Sequence, residues 1–315
     1  MDWIRNRELD AFAMASLAAV CLIVSACAET RPGTQDAGND ADERNSASAL
    51  QTVYDQTAIG LPGCSNILTP TPQSSDLSAS FQSNGTIRFI APNGSGNGRS
   101  ASAPAGPSRL ESLAQSASSS VAFFFAPGTY TLDSAVDLTS DGQLHLIGPC
   151  AQATRLEFSG TANLNIQAAT TASLVGLEFH ADDSEAADPL VDIQQTEKLI
   201  VAGSYLTDAD GSTAGTGLRV AGSTSIGVAR SVFEGFDTGV HLPDGADLSA
   251  MRTWWRDIGG RGIHAENPSI GSGNWGSTVM INYSAFHGAD PAGTTTTAEA
   301  AIDIDGGLLA ARHTD

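Results

Sequence analysis

Ionisable side chains recur at the centre of short apolar segments in the second half of the chain. Asp192, Arg219, His241 and His264 each stand between two apolar residues, as in 239-GVHL-242. In a β-strand whose apolar residues point inward, the residue between them points to solvent. Extending this register in both directions predicts one outward-facing column, which in chain order is Asp137, Asn165, Asp192, Arg219, His241, His264 and Asp303.

Two roles fit this column. In-register parallel strands lie about 4.8 Å apart, so neighbouring side chains of the column would touch. The first role is catalytic, because carboxylates and imidazoles at that separation can act as general acids and bases. Stacked His241 and His264 would lower each other's pKa and leave a neutral base at about pH 7. The alternative is a solvated polar face on which Asp192 pairs with Arg219. The candidate catalytic residues are Asp192, Arg219, His241 and His264.

A second group combines cationic and aromatic side chains on longer apolar segments. Its members are Tyr205, Arg230, Arg252, Trp254 and Tyr283. Arginine binds a carboxylate through two parallel hydrogen bonds, and exposed aromatic rings offer flat apolar faces to sugar rings. These residues therefore predict a binding patch for an acidic polysaccharide. The alternative is a solvated face on which Trp254 is partly buried beneath a loop.

Acidic residues follow two of the apolar segments, at Asp182, Asp183, Asp208 and Asp210. Clustered carboxylates can hold calcium, whose oxygen ligands tolerate loose geometry, so calcium is the one cofactor that the sequence offers. The alternative is a solvated run of charge. We predict no other metal, because the sequence has no cysteine and histidine spacing of the zinc type.

These side chains must be positioned by a repeated unit. Five segments share a pattern of alternating apolar and variable residues that includes a small hydroxyl residue, and each is followed by a shorter apolar segment. The five are 172–179, 199–206, 226–233, 248–255 and 279–286. Two strands with alternating side chains in each repeat, separated by turn residues, predict a solenoid of stacked coils. Ser204, Ser231, Thr253 and Ser284 are expected to point inward and form a hydroxyl ladder at a turn.

The first ordered part of the chain resembles the opening of a known fold. The strand 87-IRFI-90, a glycine-rich turn, the helical segment 107–117 and the motif Pro127-Gly128-Thr129-Tyr130 occur in succession. This succession resembles right-handed parallel β-helix proteins of the pectin-lyase-like superfamily. The resemblance implies an all-β solenoid whose open end is covered by a short N-terminal helix. The repeats give about six or seven coils, and Pro107 at a possible helix start with Ser108 as a cap predicts the helix from the sequence. That superfamily contains lyases, hydrolases and non-catalytic surface proteins, and the ordered motifs of the polygalacturonases do not occur here.

Charge excludes one class of partner. The chain of 315 residues has 35 acidic against 15 basic residues and a formal net charge of −20. Such a surface repels phosphate groups, so we expect no nucleic-acid partner. We expect a monomer.

The N-terminus is typical of an exported protein. Arg5 and Arg7 precede a short apolar run that closes as Val24-Ser25-Ala26-Cys27, which resembles a bacterial lipobox. The resemblance implies that residues 1–26 are a signal peptide, that Cys27 carries lipid, and that Ala28 favours the outer membrane. The alternative is a plain secretory signal cut after Ala26 or Ala28. Residues 27–48 would form an acidic tether, 49–86 a poorly defined segment and 87–315 the β-helix domain.

Two cysteines remain for a disulfide once the signal peptide is cut and Cys27 is lipidated. These are Cys64 and Cys150, and an oxidising compartment favours their pairing.

Three functions are compatible with the sequence. The first is a lipid-anchored cell-envelope protein whose β-helix binds a polysaccharide or another surface partner without catalysis. The second is a polysaccharide lyase or glycoside hydrolase that uses the column around His241 and His264. The third is a structural spacer.

Overall fold

A computed structural model describes most of the chain from Gly85 onward. The described residues are 85–117, 119–182, 188–208, 215–222, 225–244, 246–266, 278–288, 300–305 and 308–312. The predicted signal peptide, the lipidated Cys27, the tether and Cys64 lie outside them, as do Asp183 and Asp210. Within these ranges no helix is long and apolar enough to cross a membrane.

The described strands form three parallel sheets, which we call A, B and C and which alternate along the chain. Sheet A contains β1 Gly85–Ile90, β2 Ser120–Phe125, β5 Gln143–Ile147, β8 Thr171–Val175, β11 Lys198–Ala202, β14 Ser225–Ala229, β17 Asp247–Met251, β20 Thr278–Asn282 and β23 Leu308–Arg312. Sheet B contains β3 Gly128–Leu132, β6 Thr154–Phe158, β9 Glu178–Ala181, β12 Tyr205–Asp208, β15 Val232–Glu234, β18 Trp254–Ile258 and β21 Ala285–Gly288. Sheet C contains β4 Val136–Ser140, β7 Leu164–Ala168, β10 Val191–Gln194, β13 Thr216–Ala221, β16 Thr238–Leu242, β19 Arg261–Ala265 and β22 Ala300–Ile304. The predicted parallel β-helix is confirmed, with about six turns.

Each coil has three strands, and the expectation of two was wrong. The segment 199–206 is divided into β11 and β12 by a turn at Gly203 and Ser204. Gly203 adopts a positive φ of 58°, which bends the chain from sheet A into sheet B. The small residues that fit an alternating strand pattern are therefore the corner of the coil.

A hydroxyl ladder stabilises this corner, as predicted. Ser204, Ser231, Thr253 and Ser284 are all buried. The amide of Ser204 donates to Ser231 Oγ at 3.3 Å, and that of Thr253 donates to Ser284 Oγ at 3.2 Å. Each hydroxyl in turn donates to a carbonyl two residues earlier, so the corner's buried polar groups are paired.

The core consists of apolar side chains stacked from coil to coil. In sheet B the in-register stack is Phe179, Leu206, Phe233, Trp255 and Phe286. The Trp255 ring is parallel to both aromatic neighbours, with centroids 5.9 Å from Phe233 and 4.4 Å from Phe286. Because each coil buries its apolar residues against the next, the stack fixes the register of the whole solenoid.

A short helix covers the first coil, as predicted. A 3-10 turn at Pro107–Arg109 leads into α1, Leu110–Gln115, which buries Leu110 and Leu113 in the main core. The expectation that Ser108 caps this helix was wrong. The turn begins at Pro107 after an extended Gly106, and no side chain caps either segment.

The Pro-Gly-Thr-Tyr motif closes the junction between β2 and β3. Tyr130 is fully buried, and its hydroxyl donates to Ala126 O at 2.6 Å. Gly128 has a φ of 140°, and a Cβ there would lie 2.6 Å from Pro92 Cγ. The motif therefore reflects a tight backbone approach and not a chemical site.

Candidate functional site

The predicted column forms on the outer face of sheet C. Strand pairing places its seven members opposite one another in the expected order, from Asp137 to Asp303. At the N-terminal end of the column, neighbouring members are hydrogen-bonded to each other, since Asn165 Nδ2 donates to Asp137 Oδ1 at 2.7 Å. The predicted register is therefore confirmed, whereas the catalytic role of its members stays a prediction.

Asp192 and Arg219 form an ion pair in the middle of the column. Arg219 Nη1 lies 3.1 Å from Asp192 Oδ1 and 3.2 Å from Oδ2. Asp192 is 6% exposed and also accepts a hydrogen bond from Gln194 Nε2 at 2.7 Å. A buried carboxylate whose oxygens are paired within the chain is typical of a structural role.

The two histidines stack at the C-terminal end of the column. The rings of His241 and His264 are parallel within 5°, with centroids 4.9 Å apart. Burial lowers the pKa of His264, and the nearby Arg261 and His241 lower it further, against Asp303 and Glu266, which raise it. The stack was expected to set this pKa, but partial burial is the larger cause.

Glu266, which the sequence interpretation missed, lies against both histidines. Its Oε1 is 3.0 Å from His241 Nε2 and 4.0 Å from His264 Nε2. The three donor atoms lie within 4.8 Å of one another, a grouping that could hold a metal ion. The signal was present, because Glu266 follows His264 by two positions and so continues the outward alternation beyond the end of β19.

Arg261 and Asp303 complete this end of sheet C. Arg261 Nε lies 2.9 Å from Asp303 Oδ2, which is 3.8 Å from His264 Nε2. The histidines thus lie in a group of one cation and two carboxylates.

The second surface lies at the corner between sheets A and B. Arg230, Arg252 and Tyr283 occupy the same corner position in three successive coils, with φ values of 50°, 52° and 50°. The amide of Arg230 donates to Met251 O and that of Arg252 to Asn282 O, both at 3.0 Å. We call Arg230, Arg252, Trp254 and Tyr283 the arginine–aromatic strip.

The aromatic members of the strip are exposed. Trp254 is 45% exposed and Tyr283 is 58% exposed, whereas the neighbouring Trp255 is fully buried. Trp254 is the first residue of β18, two positions after Arg252, so its ring lies beside the corner. The exposure favours the predicted binding patch over the alternative in which Trp254 is covered.

Tyr205 belongs to a different cluster. In the register of sheet B it is separated from Trp254 by Val232. Its hydroxyl contacts the carboxylate of Glu234, and Arg256 Nη2 lies 2.6 Å from Glu234 Oε2. The structure therefore does not bring Tyr205 into the strip.

The arginines of the strip differ from four arginines of sheets B and C. Arg155, Arg219, Arg256 and Arg261 each lie within 3.1 Å of a carboxylate oxygen. In the part of the chain that the structure describes, Arg230 and Arg252 have no carboxylate within 4.0 Å.

The residues considered for calcium are only partly brought together. Asp182 lies with Glu157 and His180 in a second group that could hold a metal ion. Asp208 is buried at the end of β12. Since Asp183 and Asp210 lie outside the described residues, a calcium site stays a prediction.

Cys150 is disulfide-bonded. Its partner lies outside the described residues, where all other cysteines of the chain are found. The predicted pairing with Cys64 therefore stays a prediction.

Comparisons with known proteins supply no argument for a function of this chain. No family model matches the sequence, and no curated protein is similar to it at a significant level. The crystal structure of pectate lyase Pel9A is similar, with a TM-score of 0.46 and 14% sequence identity over 70% of this chain. The match spans 57% of the length of that protein. We transfer no activity or substrate from it.

Proposed function

We propose that this β-helix binds an acidic polysaccharide through the arginine–aromatic strip. The observation that supports the proposal is the unpaired state of Arg230 and Arg252 within the described residues of a chain with a net charge of −20. Four other arginines, Arg155, Arg219, Arg256 and Arg261, are paired with carboxylates, and an anionic ligand is the equivalent partner that Arg230 and Arg252 can accept.

The backbone supports the same proposal. In two earlier coils the same corner position is occupied by glycines, Gly176 and Gly203, with φ values of 63° and 58°. Non-glycine residues in this left-handed region cost about 1 kcal/mol each. Three successive coils place Arg230, Arg252 and Tyr283 there despite that cost, which is typical of functional positions.

The composition of the strip indicates the class of ligand. Guanidinium groups on neighbouring coils, about 4.8 Å apart at the backbone, can each bind a carboxylate of a polymer. The exposed rings of Trp254 and Tyr283 offer apolar faces for sugar rings beside those carboxylates. The acidic remainder of the surface repels an anionic polymer, which confines binding to the strip and makes it depend on salt.

Affinity electrophoresis of the purified protein in gels containing polygalacturonate tests this function. We expect retardation that decreases with salt, and none in gels containing neutral dextran. Arg252→Gln and Trp254→Ala should each weaken binding about tenfold, the effect of losing about 1.4 kcal/mol.

Arg99→Gln provides the matched control, because Arg99 is an exposed arginine far from the strip in sequence. It should bind as the unaltered protein does. Equal mobility of all variants in polygalacturonate would show that the strip is not the binding site and would favour the role of a structural spacer.

We further propose that a lipid on Cys27 anchors the protein, as a monomer, to the bacterial cell envelope, with the outer membrane favoured. The lipobox-like end of the apolar N-terminal run supports this location. Cys27→Ser should move the protein from the membrane pellet to the soluble fraction. Retention of Cys27→Ser in the pellet would contradict lipid anchoring.

Catalysis by the histidines of sheet C is a second candidate function. The lowered pKa of His264 favours a neutral imidazole, which can act as a general base. Carboxylates lie beside it, and a polysaccharide lyase or glycoside hydrolase uses general acids and bases of these types. Lyase action would produce unsaturated products with ultraviolet absorbance, and hydrolase action would release reducing ends. Activity on uronate polymers that His264→Ala abolishes would establish catalysis, and no activity with calcium present would exclude it for those polymers.

A further inference from the structure

The histidine end of sheet C gathers three metal-ligating side chains from two adjacent strands. His241 on β16 and His264 on β19 are in register, and Glu266 follows β19 directly. Glu266 Oε1 lies 3.0 Å from His241 Nε2 and 4.0 Å from His264 Nε2. Strand backbones in a continuous sheet hold the two histidines, and Glu266 is the residue directly after β19.

The separations fit the first coordination sphere of a small divalent ion. Nitrogen and oxygen ligands bind zinc at about 2.0–2.2 Å, which places tetrahedral ligand atoms about 3.4 Å apart. The distances from Glu266 Oε1 to the two histidine nitrogens, 3.0 and 4.0 Å, lie on either side of that value. Small side-chain rotations would bring the donors to it.

The donor atoms are also available. His241 Nε2 already faces the Glu266 carboxylate, but His264 Nε2 has its nearest carboxylate oxygens at 3.8 and 4.0 Å, beyond hydrogen-bond distance. The described residues thus leave one imidazole nitrogen of His264 without a close polar partner. A metal ion between the three groups would use this nitrogen and the Glu266 oxygen together.

We propose that His241, His264 and Glu266 bind one divalent transition-metal ion of the zinc class. Two imidazoles and one carboxylate form a donor set that suits such ions better than calcium, which prefers oxygen ligands. The side chains of His241, His264 and Glu266 are 22%, 16% and 43% exposed. The site is therefore open on one side, where water or a substrate group can complete the coordination.

The surrounding charges are compatible with a cation. Glu266 and Asp303 carry two formal negative charges and Arg261 carries one positive charge, which leaves one negative charge before an ion binds. Arg261 is itself paired with Asp303 at 2.9 Å, which reduces its repulsion of an ion beside the histidines.

The second group, Glu157, His180 and Asp182, is the closest competitor within the described residues. It offers one imidazole instead of two. It provides the matched control, since it has histidine and carboxylates on adjacent strands in a similar solenoid setting.

Equilibrium dialysis of the untagged, metal-stripped protein against ZnCl2 tests the site, with Co2+ absorption as an independent report of the ligand geometry. We expect one tightly bound Zn2+ per chain and visible bands of four-coordinate Co2+. His264→Gln and Glu266→Gln should each lower the zinc affinity at least tenfold. Residues that only hydrogen-bond to metal ligands already change metal affinity by about 10–100-fold, so the loss of a ligand should cost at least as much. Circular dichroism and thermal unfolding would show that both variants remain folded.

The control variant His180→Gln should retain both the bound Zn2+ and the Co2+ bands. Zinc affinity that is unchanged in His264→Gln and Glu266→Gln, or that is lost in His180→Gln alone, would overturn the assignment. Loss of polygalacturonate binding in Arg252→Gln with zinc binding intact would show that the two sites are independent.

Discussion

The column on sheet C and the arginine–aromatic strip use polar residues in opposite ways. In the column, Asp192 accepts from Arg219 and Gln194 and lies almost fully buried. In the strip, Arg230 and Arg252 have no carboxylate within 4.0 Å among the described residues, and Trp254 is 45% exposed. One region satisfies most of its polar groups within the chain, whereas the other presents its groups to solvent.

This difference separates residues that stabilise the solenoid from residues that can bind a ligand. An intrachain partner makes a polar side chain part of the structure, and its loss leaves a buried group unpaired. A side chain without such a partner contributes little to folding and can be changed at small cost. Substitutions in the column should therefore mainly lower the free energy of unfolding, whereas substitutions in the strip should mainly weaken ligand binding.

The adjacent tryptophans give the largest expected contrast. Trp255→Ala removes a fully buried ring that stacks on Phe233 and Phe286, so we expect the free energy of unfolding to decrease by about 3–5 kcal/mol. Trp254→Ala should change it by less than about 1 kcal/mol, because the ring is largely exposed. Urea unfolding followed by circular dichroism measures both values. Similar losses in the two variants would contradict the distinction between the core and the strip.

His145 provides a buried histidine to compare with the half-buried pair on sheet C. Its Nδ1 lies 2.6 Å from Ser173 Oγ and its Nε2 lies 3.1 Å from Gln143 Oε1. Burial lowers the pKa of His145 from 6.5 to about 4. Between these pH values the unfolded chain binds the proton and the folded chain does not. The contribution of His145 to the free energy of unfolding is therefore fully present above pH 6.5 and is lost as the pH falls to about 4.

The loss due to His145 should be about 3 kcal/mol, since one pKa unit corresponds to about 1.4 kcal/mol. His145→Gln removes the titrating group, and its free energy of unfolding should therefore fall less steeply over this pH window. Urea unfolding at several pH values measures the difference between the two slopes. Parallel pH profiles would show that His145 does not titrate differently on folding.

Asp192→Asn tests the paired column directly. The substitution removes the charge that Arg219 faces, and we expect the free energy of unfolding to decrease by about 1–2 kcal/mol, the range for hydrogen bonds to charged groups that are partly exposed. Asp137→Asn is the control in the same column, because Asp137 is exposed, and it should change stability by less than about 0.5 kcal/mol. Equal effects at both positions would remove the distinction within the column.

The fold and the column could be predicted because they depend on alternation. Each central residue of sheet C lies between two buried apolar residues, so its direction follows from the strand period alone. The corners could be predicted only in part, because the hydroxyl ladder was expected at a turn but each longer segment was expected to form a single strand. A Gly-Ser pair fits the alternation of a continuous strand, and only the positive φ of Gly203 reveals that the chain bends there.

The contacts of the candidate sites depend on side chains that reach between coils, which the sequence pattern does not encode. Tyr205 seemed adjacent to Trp254 by position, but Val232 lies between them and the Tyr205 hydroxyl contacts Glu234 instead. Glu266 was missed because it lies just beyond its strand. Among the described residues, the lack of a carboxylate within 4.0 Å of Arg252 is likewise a property of the folded surface.

Arg252→Gly should slightly increase stability and so tests the strip separately from the fold. Glycine adopts the φ of 52° at this position without strain, as Gly203 does at 58° at the same corner two coils earlier. We expect the free energy of unfolding to increase by about 0.5–1 kcal/mol, because the relief of left-handed strain exceeds the entropy that glycine adds to the unfolded chain. Binding of polygalacturonate should nevertheless weaken at least tenfold. A variant that is both more stable and unable to bind would show that this corner retains arginine for its ligand, whereas a destabilised variant would show that Arg252 has a structural role.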